Sequence, residues 1–313
     1  MAAGAIPLLR LAFDINSCFT ADEVQANFKA TLKRGYTPLN GLLDKYSGTC
    51  SLVGAGPSIE DTLGELQGDV IAINSAIPYL IERGIVPKWA MLWDAHPLVA
   101  KFVVPHPDIT YLIASRCHPE VFALLEDCNV VVWHAAGDHD MADWVRDMAP
   151  EPYPAMVNGG TAGITRGIYL ANCLGYRDMH IFGADSSYSM DGRTHIRGSV
   201  VPEKDTMVAI GTQPPLFFRT TPEWCQQVNE YKAIYALFTY KGHTNLTCHG
   251  QGMLQTMHHI MEAQRKAIGD DEFLKRMCAE HEQQMDMDKR ASAGDDNIVP
   301  IKMEAKREAT YGR

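Results

Sequence analysis

The sequence predicts an α/β protein: a Rossmann-like, mostly parallel sheet with flanking helices and a helical C-terminal extension. Three observations carry this expectation. Short apolar runs alternate with amphipathic segments from about residue 48 to 255, the pattern of parallel strands joined by crossover helices. Glycine-bearing or polar turns follow the ends of those runs, which is where an open parallel sheet binds ligands. Beyond residue 250 the apolar positions recur at helical spacing.

Taken in order, residues 1–47 read as a helical lead-in. Thr20-Ala21-Asp22-Glu23 is a capping box for a helix that runs to Lys33 and stops at Gly35. A strand at 51–53 leads into Gly54-Ala55-Gly56-Pro57-Ser58 and a helix through Leu66. A second strand, 70–73, ends at Asn74-Ser75 and is followed by a helix at 78–83 that Gly84 closes. The third strand, 89–93, ends at Asp94-Ala95-His96-Pro97. Further strands are expected at 109–114 and 129–133, with a helix at 119–126 between them. Asn158-Gly159-Gly160-Thr161 opens a helix to about Leu174, and a strand at 178–182 ends in Gly183-Ala184-Asp185-Ser186-Ser187-Tyr188. Residues 189–220 read as a long loop, and that length makes it a candidate lid or acceptor-binding segment. Thr221 caps and Pro222 starts a helix to Tyr240; a last strand, 244–248, precedes His249-Gly250-Gln251-Gly252 and helices at 253–267 and 271–289. The expected organisation is therefore a lead-in (1–47), a Rossmann-like domain (48–255), C-terminal helices (256–290) and a mobile or partner-ordered tail (291–313).

Bulk properties narrow the function classes. The chain has 313 residues, 46% hydrophobic and 21% charged, with a formal net charge of −10, so nothing in its total charge calls for nucleic acid. Eight cysteines include no Cys-x-x-Cys pair, which argues against a zinc ribbon or a thioredoxin-type site and favours reduced, buried thiols. Residues 1–13 are apolar but short and lack a basic flank, and no apolar run reaches the roughly 20 residues of a membrane span. A cytoplasmic location is expected.

The candidate chemistry lies at the strand ends. Gly54 and Gly56 let backbone approach a ligand, Pro57 fixes the turn, and Ser58 caps the next helix start, which favours phosphate. The loop is neither Gly-x-Gly-x-x-Gly nor a Walker motif, so neither NAD nor ATP hydrolysis is specified, and nothing suggests haem. A plain tight turn is the competing reading. Gly159, Gly160 and Thr161 form a second anion-friendly helix start. Asn74, Ser75, Gly183, Asp185 and Ser186 are candidates for holding base or ribose. Asp94 suits a divalent ion or ribose hydroxyls, or simply caps the helix at Pro97. His195, His243 and His249 are candidate general bases, with His195 and His249 placed beside Asp94 as the catalytic expectation. Tyr188 and Arg193 are candidate ligand contacts or solvated loop residues. The C-terminal helices are a candidate homo-oligomer contact.

Val53-Gly54-Ala55-Gly56-Pro57-Ser58, Ala72-Ile73-Asn74-Ser75-Ala76, Gly84-Ile85-Val86-Pro87-Lys88 leading to Asp94, Gly159-Gly160-Thr161 and Ile181-Phe182-Gly183-Ala184-Asp185 together resemble the 6-hydroxymethylpterin diphosphokinase-like family. The resemblance spans about residues 48–255. It extends to flagellin-glycosylation proteins and to bacterial sialyltransferases with CMP-sugar donors. It implies a transferase with a nucleotide across Gly54–Ser58, Asn74 and Gly183–Asp185. The diphosphokinase resembles thiamin pyrophosphokinase in an Asp-x-Asp cluster that holds Mg²⁺; here Trp93-Asp94-Ala95-His96-Pro97 supplies one carboxylate. The expectation is therefore glycosyl transfer from a nucleotide-activated donor to an acceptor hydroxyl. The alternatives are Mg²⁺-dependent diphosphate transfer from ATP and non-catalytic nucleotide binding.

Overall fold

The structure, a computed structural model, describes residues 13–15, 19–137, 140–149, 155–196, 206–210, 215–292 and 301–303. In chain order the elements begin with β1 (Phe13–Ile15), α1 (Ala21–Leu32), β2 (Thr37–Pro38), β3 (Thr49–Val53), α2 (Ile59–Thr62), β4 (Asp69–Ile73) and α3 (Ala76–Ile81). Next come β5 (Trp89–Leu92), β6 (Thr110–Ala114), α4 (Pro119–Leu124), β7 (Asn129–Ala135), α5 (Met141–Met148), β8 (Met156–Val157), α6 (Gly163–Leu174) and β9 (Asp178–Phe182). The remainder is β10 (Thr206–Ile210), β11 (Leu216–Thr220), α7 (Pro222–Thr239), β12 (Asn245–Cys248), α8 (Met253–Ile268), α9 (Asp270–Ser292) and β13 (Ile301–Met303).

The chain packs as two units. The first, here the sheet unit, comprises 19–55 and 62–183; the second, the helical unit, comprises 1–18, 56–61 and 184–313. The helical unit thus takes in the segment that follows β9 as well as the C-terminal helices.

In the sheet unit the strand order is β9-β3-β4-β5-β6-β7-β2, with β8 pairing on β7. The paired strands run parallel. The inner strands are largely apolar, as suits a sheet covered on both faces: Leu52, Ile71, Ala90, Met91, Leu112 and Ile113 are fully buried. Helix α6 lies close to the sheet because it carries glycines where it touches. A Cβ on Gly167 would sit 2.7 Å from Ile73 Cδ1 and 3.1 Å from Leu52 Cδ2. Helix α1 begins with the expected capping box, Glu23 N–H donating to Thr20 Oγ1 (3.2 Å) and Thr20 N–H to Glu23 Oε2 (2.9 Å). Its Val24 and Phe28 pack with Met141, Trp144 and Val145 of α5 and with Ala95, so this helix belongs to the sheet unit's core.

In the helical unit, α7 to α9 enclose Tyr231, Tyr235, Met257, Met261, Phe273 and Met277. Lys232, in the middle of α7, is buried and paired with Glu280 of α9 at 3.1 Å. Residues 189–220 are not the continuous loop the sequence suggested. They hold an antiparallel hairpin, β10 on β11, whose alternation buries Val208 and Ile210 while Met207 and Phe217 stand out. Most of the expected mobile tail lies outside the described residues, apart from β13, which pairs with β1. The seven described cysteines are free thiols. Among the described residues no helix is long and apolar enough to cross a membrane.

Candidate functional site

The sheet unit presents its polar residues at the carboxyl ends of β4 to β7. After β4 the chain turns sharply: Asn74 adopts φ +48 and gives its N–H to Met91 O (3.0 Å). Its side-chain oxygen is buried and has no hydrogen-bond partner among the described residues. Ser75 begins α3 without a side-chain cap. The start of α6 stands directly beside this turn, since a Cβ on Gly163 would lie 2.9 Å from Ile73 Cγ2, 3.5 Å from Trp93 Nε1 and 3.6 Å from Asn74 Nδ2. The preceding Gly159 and Gly160 both take positive φ, and Gly159 lies against the α6 backbone at Arg166; Thr161 is exposed.

Asp94 follows β5, as expected, but caps nothing at Pro97. The His96 ring does that, Nδ1 accepting Leu98 N–H at 3.0 Å, while Asp94 Oδ1 accepts the His96 N–H at 3.0 Å. Desolvation raises the Asp94 pKa; the His96 N–H and the nearby Arg116 charge oppose that shift. Beside it, Trp93 has two guanidiniums over its ring, Arg116 at 5.2 Å and Arg166 at 4.7 Å. Both arginines are buried. Arg166 Nη1 donates to Ala136 O and Val157 O, which fixes it between the ends of β7 and β8. His134, within β7, is a neutral core group: it bonds Ser115 Oγ at 2.8 Å, and burial lowers its pKa to about 4.

The reading of Gly54–Ser58 as a phosphate cradle needs correction. Gly54 donates its N–H to Phe182 O (2.9 Å), and a Cβ there would lie 2.6 Å from Gly183 O. This glycine therefore answers a strand-to-strand approach with Gly183, itself at φ +58. Helix α2 is a single turn, too short for an accumulated dipole, and it breaks into a 3₁₀ turn at Leu63–Glu65. In the helical unit, which takes in Gly56 and Pro57, the anion at Ser58 is the chain's own carboxylate. Asp185 Oδ2 accepts Ser58 N–H at 2.9 Å, and Oδ1 accepts the Ser58 hydroxyl and Gln255 Nε2 (3.2 Å). Desolvation raises the Asp185 pKa against these hydrogen bonds. Gly250 takes φ +93, where a Cβ would collide with the Ser58 side chain, and Gly252 approaches Asp185 so closely that a Cβ would sit 2.5 Å from its carbonyl oxygen. The Ser187 hydroxyl and the Asp185 carbonyl then cap α8. Ser186 follows at φ +51, buried, its hydroxyl without a partner among the described residues.

Three further candidates sit in this same unit. His249 gives its carbonyl to Gln255 Nε2 (3.2 Å), His243 is exposed after α7, and His195 is exposed beside Trp224. Arg193 pairs with Glu60 and Asp191, both at 2.8 Å, and Tyr188 packs edge-on to Trp224 under Arg219. The sequence reading brought Asn74, Asp94 and the Gly159–Thr161 turn to one rim. It missed Trp93, Arg116 and Arg166, although Arg116 sits just past β6, at the strand end where the same rule applies.

The topology is that of an α/β protein with a mostly parallel sheet, and Trp93, Arg116 and Arg166 gather near its carboxyl ends. The chain belongs to the family described as "6-hydroxymethylpterin diphosphokinase MptE-like", which it matches over residues 23–191, more than half its length. A solved structure titled "Structure of MAf glycosyltransferase from Magnetospirillum magneticum AMB-1" has the same fold, with a TM-score of 0.55 at 17% identity. The match covers 84% of this chain and 45% of that one, so this chain spans less than half the length of that structure. No curated protein matches the sequence.

Proposed function

We propose that the protein is a glycosyltransferase-like enzyme that seats a nucleotide-activated donor on the carboxyl rim of its sheet unit. The observation that carries this reading is Asn74: a strained turn residue whose buried side-chain oxygen calls for a donor group, at the point where α6 begins. A ribose hydroxyl or a base amine supplies such a group. The α6 start, with Gly160 and Thr161, then faces the phosphate end.

In the reaction, the acceptor hydroxyl oxygen bonds to the anomeric carbon while the bond from that carbon to the phosphate oxygen breaks. The electron pair leaves with the nucleotide, and the acceptor proton passes to a base. Asp94 is the base this rim offers, since desolvation raises its proton affinity. His195 and His249 belong to the helical unit. The family description supports a second reading, in which an acceptor hydroxyl attacks the β-phosphorus of ATP and AMP leaves.

Incubation with a panel of nucleotide sugars and with ATP, read by mass spectrometry of the released nucleotide, separates the two. Free nucleotide from one sugar donor, lost in N74A, is expected. AMP from ATP would replace this reading with the second, and no thermal shift with any nucleotide would remove both.

A further inference from the structure

We infer that α8 carries a metal site of its own, made by His258, His259 and Glu262 and suited to a divalent transition metal of the Zn²⁺ kind. The site lies within the helical unit and is independent of the donor reading above. One ring nitrogen of each histidine and one carboxylate oxygen of Glu262 come within 4.8 Å of one another. Residues three and four apart share a face of a helix, so the spacing His-His-x-x-Glu sets Glu262 beside both imidazoles. Two imidazoles and one carboxylate are a donor set that Zn²⁺ and its neighbours in the first transition row accept, with a fourth position left for water or another ligand. The ligand atoms of a tetrahedral zinc site stand roughly 3.4 Å apart, so closure takes shifts of about 1–1.5 Å, within the reach of side-chain rotation. Among the described residues no other trio of potential ligands is gathered so closely.

The first ligand is held in place. His258 is buried, its Nδ1 hydrogen-bonds the Tyr231 hydroxyl at 2.8 Å, and its ring meets that of Tyr235 edge-on at 5.2 Å. The same hydroxyl meets Cys248 Sγ at 3.2 Å. When Nδ1–H donates to Tyr231 and Tyr231 donates to Cys248, every group is satisfied and Nε2 of His258 keeps its lone pair. Metal-bound histidines are oriented in this way, the second ring nitrogen held by an outer partner. His259 is exposed and Glu262 half-buried, so an ion reaches the cluster from solvent. Two cations stand on the same helix. Lys266 pairs with Glu262 at 2.8 Å, but its side chain is 69% exposed, and a surface pair of that kind yields readily to a metal. Arg265 is committed elsewhere, to Thr239 O at 2.8 Å and Asp270 at 3.9 Å.

The untagged full chain, treated with EDTA and desalted, is titrated with CoCl₂ by visible absorbance and with ZnCl₂ in competition with a chromophoric chelator. Each ion is expected to bind at one equivalent, with a dissociation constant on the order of 10 μM or tighter. Cobalt is expected to show the visible bands of a four- or five-coordinate centre without thiolate charge transfer. Zn²⁺ is expected to raise the melting temperature of the wild type. H259A and E262Q alter groups outside the core, so both variants fold; each is expected to weaken binding about tenfold or more and to cancel the thermal shift. Y231F keeps the packing and removes the outer partner of His258, and a loss of about tenfold is expected there. Failure of both ions to bind at concentrations on the order of 1 mM would overturn the inference. Binding that H259A and E262Q leave unchanged, or a cobalt spectrum with thiolate charge transfer, would overturn it as well, since either result puts the ion on other side chains.

Discussion

The carboxylate of Asp185 accepts both the backbone N–H and the hydroxyl of Ser58, a residue 127 positions away in the sequence. A glycine-rich turn that looks open to phosphate is thereby closed by the protein's own anion. D185A removes the acceptor of the Ser58 N–H and hydroxyl and one of the two acceptors of Gln255 Nε2, so a stability loss of about 2–3 kcal/mol is expected in urea unfolding. D185N keeps the shape and loses less. Equal stability of all three proteins would show that the contact is idle.

Gly54 and Gly64 make a matched pair for substitution. A Cβ at 54 would press on the Gly183 carbonyl at 2.6 Å, whereas nothing lies within 4 Å of one at 64. G54A is expected to cost about 1–3 kcal/mol and G64A to be neutral or mildly stabilising. Chemical denaturation of the two variants decides it, and a harmless G54A would mean that β3 and β9 can part at their ends.

Acid should loosen the fold through two histidines. His134 and His258 are buried, and burial lowers each pKa from 6.5 to about 4. The unfolded chain therefore takes up these protons first as pH falls. Their contribution is complete above about 6.5, declines between 6.5 and 4, and levels off below, by on the order of 3 kcal/mol per histidine. Asp94 and Asp185, whose pKa values are raised, act in the opposite sense, so the histidine share is isolated by difference. H134Q and H258Q should each flatten the slope of stability against pH across this window. An unchanged slope in both variants would refute the assignment.

The Lys232–Glu280 pair ties α7 to α9 with little exposure of either side chain. E280Q leaves a buried ammonium and is expected to lower stability by about 3 kcal/mol, whereas the double variant K232M/E280L recovers much of the loss. Thermal melts of the three proteins check this. A double variant no better than E280Q would place the energy in packing and not in the charge pair.

Most of the sheet unit was legible in the sequence because parallel strands and their crossover helices leave local marks. The runs at 70–73, 109–114 and 178–182, the Thr20–Glu23 capping box, Gly84 and Gly175 as helix stops and, in the helical unit, the Thr221-Pro222 start each announce themselves within a few residues. Helix α5 was legible too and was passed over: Met141, Trp144 and Val145 lie at helical spacing and are the residues it buries. The β10–β11 pair carried a weaker signal, since its strands are exposed on one side.

What the sequence by itself determined, then, is the class of fold and the fact that polar residues gather at the strand ends, both consequences of periodicity along a chain. Only the tertiary structure decided which anion meets Ser58, why Gly54 has to be glycine and which cations surround Trp93. Each of those depends on groups more than twenty residues apart, brought together by strand order and helix packing, and no local pattern encodes that distance.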